Sequence, residues 1–298
     1  MPASRLALVT AAAARDLDED LPPLETALRE AQVDYAVVEW HDTEVDWSQF
    51  QFALIRSTWD YTQRLPEFLA WAARAGAATR LVNSSDVIRW NTDKHYLGDL
   101  ARAGVPAVPS HFIEPGEDAA HLLDRFLIAH ASDEFVVKPS VGAGSRDAQR
   151  HGRDARGAAL AHTQRLLDAG RSVLLQPYLA RVDDHGETAL IYFDGAFSHA
   201  IRKGPLLRRG EGATRALFAP EHITPRTPHA DELRVAELAL AAIPYETPLL
   251  YARVDLIRDG ADAPCVLELE LTEPSLFFAH GEGAATRFVD ALQRRLGN

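Results

Sequence analysis

The sequence lacks cysteine pairs, long apolar runs and basic stripes. Because Cys265 is the only cysteine among 298 residues, no internal disulfide framework or cysteine metal cluster can form, which favours a reducing compartment such as the cytoplasm. No stretch reaches the roughly 18 apolar residues of a membrane span, so we expect no membrane partner. The net charge of −12 is spread along the chain without a basic, aromatic-rich surface, and we expect no nucleic-acid partner.

The N-terminus can be interpreted in two ways. Arg5, the apolar stretch LALVT and the alanines that follow imitate a signal peptide. However, the apolar stretch is short and ends at Thr10, and a first strand that leads into a helix from about Asp18 accounts for the same residues. We therefore predict a β-strand at this position.

The spacing of apolar residues, which make up 47% of the chain, predicts three units. The segments LALVT, LPPLETALREA, YAVVEW and FALIRS alternate strand and helix, as in a parallel sheet covered by helices. EFVVKPS and SVLLQPYL bracket a helix in a smaller α+β unit, and TALIYF and AFSHAIRK flank Asp194-Gly195, a dipeptide typical of a hairpin turn. We predict an α/β (α+β) protein with an N-terminal α/β substrate-binding domain at 1–88, a central domain at 89–175 and an antiparallel C-terminal domain at 176–298.

The segment CVLELELT carries two glutamates inside an apolar strand. Since side chains alternate across a strand, Glu268 and Glu270 share one face, and Leu267, Leu269 and Leu271 take the other. Two carboxylates roughly 4 Å apart repel each other by about 4 kcal/mol at an intermediate dielectric. We therefore expect positive charge beside them.

The preceding segment YARVDLIR supplies a matching strand. Its alternation places Arg253 and Asp255 on one face, so that three carboxylates and one guanidinium converge. Such acids are the oxygen ligands that Mg²⁺ prefers beside phosphate, and Arg253 can grip a phosphate or carboxylate at two points. The alternative is a solvated edge strand with salt-bridged acids, but the apolar reverse faces of both strands favour a buried site. An EF-hand fits poorly, because the loop DLIRDGADAPCV lacks the acid required at its third position and the closing glutamate.

Two lysines could bind phosphate. Lys138 ends the strand FVVK just before PSVGAGS, a loop whose backbone N–H groups could cover phosphate oxygens, although an ordinary turn explains the glycines equally well. It is not a P-loop, because the lysine precedes the glycines. Lys94 lies at a helix start in RWNTDKHYL, where a solvated lysine is the alternative. We interpret the arginines from Arg146 to Arg156 as a solvated loop.

Taken in chain order, Lys94 and the segments VVKPSVGAGS, LLQPYL, GETALIYFDGAFSHAIRKGP, ARVD and ELELTEP resemble the ATP-grasp superfamily along nearly the whole chain. The resemblance is to the prokaryotic glutathione synthetase type, and RSTWDY and RWNTDKHYL look similar to its D-cycloserine synthetase branch. It implies an ATP-grasp fold in which the central domain is a lid. It also implies that a substrate carboxylate attacks the γ-phosphate of ATP, giving ADP and an acyl phosphate from which a nitrogen nucleophile displaces phosphate.

The resemblance also implies nucleotide-binding roles along the chain. The residues implied are Lys94 and Lys138 at the phosphates, Gly144 and Ser145 in a closing loop, Gln176, Tyr178 and Leu179 at adenine, Glu187 at the ribose, and Lys203 near the nucleotide.

A second set of implied residues surrounds the reacting groups. Asp255, Glu268 and Glu270 match the metal-binding acids, and Arg253 matches the arginine beside the transferred phosphate. Arg253 and Arg202 could stabilise the oxyanion of a tetrahedral intermediate. Many relatives have Glu-x-Asn where this chain has Glu-x-Glu, which leaves the count of Mg²⁺ ions open at one or two.

The substrate should meet the N-terminal unit, because ligands collect beyond the carboxyl ends of parallel strands. RSTWDY follows the strand FALI, so Arg56 is the natural partner of a substrate carboxylate, with Ser57 and Thr58 as hydrogen-bonding neighbours. A helix cap is the alternative for both hydroxyls. Glu273 and Ser275, just past the acidic strand, are candidates to meet the substrate amine.

The leading hypothesis is an ATP- and Mg²⁺-dependent ligase acting on a small amino-acid-like substrate. If it is a D-cycloserine synthetase, that substrate is O-ureido-D-serine and the product is a five-membered ring. A glutathione-synthetase-like peptide ligase, a catalytically silent ATP-binding module and an ATP-grasp kinase are the alternatives, and a homo-oligomer remains open.

Overall fold

The protein is described by a computed structural model that covers residues 5–207, 222–245 and 249–297. Its N-terminal unit is a parallel sheet in the order β2-β1-β3-β4. The first strand, LALVT, is fully buried, as expected of the central strands of a parallel sheet with both faces covered. The elements of this unit are β1 (Leu6–Thr10), α1 (Leu21–Glu30), β2 (Tyr35–Glu39), β3 (Phe52–Ser57), α2 (Leu65–Ala78), β4 (Arg80–Val82) and α3 (Ser85–Asn91).

The central unit is an antiparallel sheet in the order β5-β8-β6-β7, preceded by one helix. Two helices cover one face of this sheet, and their apolar sides share a core with Phe135, Val137 and Val173. The elements are α4 (Tyr96–Arg102), β5 (His111–Ile113), α5 (Ala119–Ala129), β6 (Glu134–Pro139), β7 (Gln149–Gly152), α6 (Arg156–Asp168), β8 (Val173–Pro177) and α7 (Val182–His185).

The C-terminal unit is a five-stranded antiparallel sheet in the order β11-β10-β9-β12-β13. The predicted turn joins β9 to β10, where Asp194 and Gly195 both adopt positive φ angles, 52° and 79°. That conformation is the one a two-residue hairpin turn requires. The elements are β9 (Glu187–Phe193), β10 (Ala196–Lys203), β11 (Ile223–Arg226), α8 (Ala230–Ala241), β12 (Tyr251–Arg258), β13 (Pro264–Glu270) and α9 (Ala284–Leu296).

Two asparagines attach the N-terminal unit to the acidic strand β13. The side chain of Asn83 donates to the carbonyl oxygens of Tyr251 and Leu271, at 3.0 and 2.8 Å. The side chain of Asn91 donates to the carbonyl of Leu269 and accepts from the N–H of Leu271, each at 2.7 Å. Because these groups satisfy backbone atoms around the end of an edge strand, the strand is fixed against the neighbouring unit.

The described helices include none that is long and apolar enough to cross a membrane.

Candidate active site

The polar faces of β12 and β13 form the floor of a cleft between the three units. The two strands pair so that Arg253 lies opposite Glu270 and Asp255 lies opposite Glu268. The alternation of each strand therefore brings the four predicted side chains together.

One leucine lies where alternation did not place it. A register shift after Asp255 interrupts the pairing of β12 with β13. Leu269 and Leu271 pack into the core behind the sheet, but Leu267 lines the cleft and packs against the cluster that contains Ile257. The prediction that all three leucines share the reverse face is therefore wrong for Leu267, because the bulge interrupts the alternation of side chains between the two faces of the strand.

The lysines of the cleft are paired with its acids. The ammonium group of Lys138 lies 2.8 Å from a carboxylate oxygen of Glu268, and that of Lys94 lies 3.8 Å from the same oxygen. Lys203 bridges Asp255 and Glu187, at 2.6 and 3.0 Å. Each predicted phosphate-binding lysine thus reaches a carboxylate in the same cleft.

The guanidinium of Arg253 connects the acids to the neighbouring loop. Its Nε donates to Asp255 at 2.9 Å, and it also pairs with Glu270. Its NH1 donates to the carbonyl oxygen of Ser275 at 2.9 Å. The planar fork of an arginine suits such simultaneous contacts.

Burial and charge move the acid pKa values in opposite directions. Burial alone would raise the pKa of Glu268, but Lys138 and Lys94 outweigh it and hold that pKa below its usual range. Burial raises the pKa of Glu270 to about 7, against the opposing charge of Arg253. Burial likewise raises the pKa of Glu273 to about 8, and the neighbouring charge of Glu270 acts in the same direction. The three glutamates of the cleft therefore differ in how strongly they hold a proton.

The donor set fits a hard cation such as Mg²⁺, because the three acids offer only oxygen atoms. Among the described residues, no three acidic, histidine or cysteine side chains are yet grouped closely enough to hold a metal ion. The reason is visible in the ion pairs, since Asp255, Glu268 and Glu270 each face a cation. Anionic phosphates that attract these cations would release the acids toward a metal.

The glycine-rich segment 142–146 lines the cleft beside the lysines. Gly144 and Ser145 both have positive φ angles, 59° and 58°. Lys94 donates to the carbonyl of Gly142 at 2.8 Å, so it contacts both this loop and the acid Glu268. Residues Gly144 and Ser145 are thereby placed on the same side of the cleft as the lysines.

The predicted adenine-binding residues Gln176, Tyr178 and Leu179 line the cleft at the end of β8. Tyr178 is covered by Arg150, whose guanidinium carbon lies 3.6 Å from the ring centroid. Arg150 also pairs with Glu134 and with Asp183. Our interpretation of 146–156 as a solvated loop is therefore wrong for residues 149–152, which form β7, and for the mostly buried side chain of Arg150.

The substrate-binding prediction is met only in part by the geometry. Glu273 and Ser275 line the cleft, whereas Arg56, Ser57 and Thr58 are fully buried behind it. Arg56 lies 3.5 Å from Asp20 and 3.9 Å from Asp18, and Ser57 shares a hydrogen bond of 2.8 Å with Thr10. Two other residues of the RSTWDY segment line the cleft, namely Trp59 and Tyr61.

A loop at 273–278 forms the wall beside the acids, and side chains from four parts of the chain hold its backbone. Its carbonyl groups accept from Trp59, Arg56, Arg253 and His199. The carboxylate of Asp20 accepts from three consecutive N–H groups, those of residues 276, 277 and 278. In the sequence, Asp20 looks like an ordinary acid at the start of a helix, and nothing local points to the distant loop that it binds.

Arg202 is placed away from the other predicted residues. Its Nε and NH2 donate to the backbone carbonyls of His185 and Asp184, at 2.7 and 2.9 Å. It is absent from the cleft lining formed by the described residues.

Comparison with known proteins identifies the family of this chain. A family model described as "D-cycloserine synthetase DcsG, N-terminal domain" matches residues 6–83. The cycloserine biosynthesis protein DcsG of Streptomyces lavendulae is 43% identical over 296 residues, which cover 98% of each chain. The chain belongs to the D-cycloserine synthetase family. The resemblance carried by RSTWDY and RWNTDKHYL is thus confirmed.

Solved structures show that this D-cycloserine synthetase family member has the ATP-grasp fold. The crystal structure of D-cycloserine synthetase DcsG matches with a TM-score of 0.93 and 43% identity, covering 98% of this chain and 100% of that chain. The ATP-grasp ligase PsnB, complexed with a minimal precursor, matches with a TM-score of 0.66 and 17% identity over 99% and 100%. D-alanine–D-alanine ligase from Bacillus anthracis matches with a TM-score of 0.68 and 13% identity over 99% and 97%. The predicted fold class is confirmed, and the exact domain limits stay a prediction.

Proposed function

We propose that the protein is an ATP- and Mg²⁺-dependent ligase of cycloserine biosynthesis that closes O-ureido-D-serine into a five-membered ring. The observation that carries this proposal is the 43% identity to DcsG over 98% of both chains. The cleft supports it, because acids and cations suited to ATP and a metal lie beside a separate wall formed by Trp59, Tyr61 and the loop at 273–278.

The nucleotide would lie between the hinge after β8 and the lysines. Gln176, Tyr178 and Leu179 would meet adenine, and Glu187 would bind the ribose hydroxyls. Lys94, Lys138 and Lys203 would turn from the acids to the phosphate oxygens, with Gly144 and Ser145 closing over them.

That exchange of partners would free Asp255, Glu268 and Glu270 for Mg²⁺. The ion would offset the repulsion between the γ-phosphate and the substrate carboxylate. The third acid, Glu270, adds negative charge that would favour a second ion.

The substrate carboxylate would lie beside Arg253, where it attacks the γ-phosphate. Arg253 can then stabilise the oxyanion that forms when nitrogen attacks the acyl phosphate. Arg56 would act through the loop at 273–278, because it binds the Pro274 carbonyl from behind the cleft lining. Ser57 and Thr58 also lie behind that lining. Arg202 would act through α7, whose carbonyls it binds.

The test is a reaction of the purified protein with ATP, Mg²⁺ and O-ureido-D-serine, followed by ADP release and mass spectrometry of the product. We expect D-cycloserine together with ADP, and no such product from the L-enantiomer. Asp290 is exposed and lies outside the cleft lining, so the variant Asp290→Asn serves as a control and should behave as the unmodified protein. ADP release with a dipeptide acceptor, but not with the ureido substrate, would favour a peptide ligase and overturn the proposal.

A further inference from the structure

Among the described residues, Glu273 differs from the other carboxylates of the cleft in lacking a cation within ion-pair distance. Among the described lining residues, each other acid lies within ion-pair distance of a lysine or arginine: Glu187, Asp255, Glu268 and Glu270. No described lysine or arginine lies that close to Glu273, which is 9% exposed and lies near the buried Tyr61. The carboxylate of Glu273 is therefore available for a role other than an ion pair.

The backbone that carries Glu273 is fixed from several directions. Trp59 donates to the carbonyl of Glu273 itself at 3.3 Å, and Arg56 donates to the next carbonyl, that of Pro274, at 3.4 Å. Asp20 binds three N–H groups further along the loop. A backbone held in this way limits the positions that the carboxylate can take before a substrate arrives, which favours efficient proton transfer.

The proposed ring closure creates a need for such a group. A five-membered ring forms only if the attacking nitrogen is the one bonded to oxygen, because attack by the terminal nitrogen would give a seven-membered ring. The lone pair of that nitrogen is delocalised into the urea carbonyl, so the nitrogen is a poor nucleophile until its proton is removed. Lysine and arginine cations cannot accept this proton, and the paired acids are occupied.

We propose that Glu273 is the catalytic base that removes the proton from the oxygen-bound ureido nitrogen, and that Tyr61 is the residue that positions it. The inference rests on the proposed function. As the proton moves to the carboxylate, the nitrogen electron pair forms a bond to the acyl carbon. The bond from that carbon to the phosphate oxygen breaks, and phosphate leaves with the electron pair. The ring nitrogen keeps its carbamoyl group until water hydrolyses it to carbon dioxide and ammonia.

The environment of Glu273 supports this role. Burial raises its pKa to about 8, so the carboxylate is a stronger base than an exposed glutamate. A base whose pKa lies near the working pH combines availability with driving force. The groups that act on it from the surrounding elements are Glu270, Tyr61, Lys94 and Arg253.

The decisive experiment separates formation of the acyl phosphate from ring closure. Hydroxylamine attacks an acyl phosphate without help from a base and yields a hydroxamate, whereas the ureido nitrogen needs its proton removed. With ATP, Mg²⁺ and O-ureido-D-serine, Glu273→Gln should form ring product, with or without the carbamoyl group, about 10²–10⁴-fold more slowly. Its hydroxamate formation should stay within about threefold of the unmodified enzyme. Tyr61→Phe should lose ring closure by roughly tenfold, again with hydroxamate retained.

Three results would overturn the inference. Ring closure by Glu273→Gln at the normal rate would remove the base, and equal loss of ring and hydroxamate would place Glu273 in carboxylate activation instead. If Glu273→Gln fails to fold, Tyr61→Phe and Glu273→Asp test the same point, because each should lose ring closure and keep hydroxamate formation. An unchanged ratio of ring to hydroxamate in both variants would also overturn the inference. Absence of ADP, ring and hydroxamate with the unmodified enzyme would overturn the proposed function itself, which distinguishes the two failures.

Discussion

Replacement of Asp20 by asparagine should loosen the loop at 273–278. One carboxylate oxygen of Asp20 accepts from the N–H groups of residues 276 and 277, and the other accepts from that of residue 278. The amide introduced by Asp20→Asn keeps only one oxygen, so at least one N–H loses its acceptor. Arg56 also loses its nearer anionic partner and retains only Asp18, at 3.9 Å.

The magnitude follows from these two losses. A hydrogen bond to a charged group contributes about 1.5–3 kcal/mol, and a buried pair broken on one side costs about 3–5 kcal/mol. Because both losses arise from the same carboxylate, they do not add in full, and we expect the free energy of unfolding to fall by about 3–5 kcal/mol. At roughly 2–4 °C per kcal/mol, the Tm should fall by about 6–20 °C.

Two assays check this prediction. Thermal unfolding gives the change in Tm, and hydrogen exchange followed by mass spectrometry should show faster exchange in a peptide spanning residues 273–280. Asp46→Asn is the matched control, because Asp46 caps a short exposed helix and asparagine caps equally well. If Asp20→Asn changes neither Tm nor exchange in that peptide, Asp20 does not hold the loop.

Other predictions follow from the cleft. Glu268→Gln should abolish Mg²⁺-dependent ADP formation and lower the Tm, because it leaves Lys138 without its partner. Glu270→Gln should slow ADP formation less than Glu268→Gln does, because an amide oxygen can still bind the metal. It should raise the Tm at pH 8, because an acid whose folded pKa is raised stabilises the fold below its unfolded pKa and loses that contribution as pH rises through about 7. Equal Tm shifts in the two variants would contradict this assignment. Lys138→Met should weaken ATP binding by about ten- to a hundredfold in calorimetry, and unchanged affinity would remove Lys138 from the phosphate site. Cys265, whose pKa burial raises to about 12, should resist iodoacetamide at pH 8 until the protein is unfolded, and rapid alkylation of the native protein would show that it is accessible.

Features set by neighbouring residues could be predicted from the sequence. The shared face of Arg253 and Asp255 and the turn at Asp194-Gly195 depend on strand alternation and on local backbone preferences. The order of the segments was specific enough to predict the ATP-grasp fold, which the solved relatives confirm.

Features set by contacts between distant segments could not be predicted. Leu267 changed sides because of a bulge, which alternation alone does not reveal. Asp20 reached the loop at 276–278, which is more than 250 residues away, and Arg150 was buried by Tyr178. In RSTWDY, Arg56, Ser57 and Thr58 lie behind the cleft while Trp59 and Tyr61 face it, because only the packed neighbours decide which part of an irregular segment is exposed.

The pairing of cations with acids has a consequence for how fast nucleotide arrives. Among the described residues that line the cleft, cationic and acidic side chains are equal in number: Lys94, Lys138, Arg146, Lys203 and Arg253 against Glu187, Asp255, Glu268, Glu270 and Glu273. Such a balanced surface produces little long-range field, and the chain as a whole is negative by 12 charges. Attraction between the cleft and a polyanion therefore begins only at short range, after the ion pairs exchange partners. The association rate of ATP should accordingly rise with ionic strength, because salt screens its repulsion by the negative chain, whereas the rate for a cleft lined by cations alone would fall.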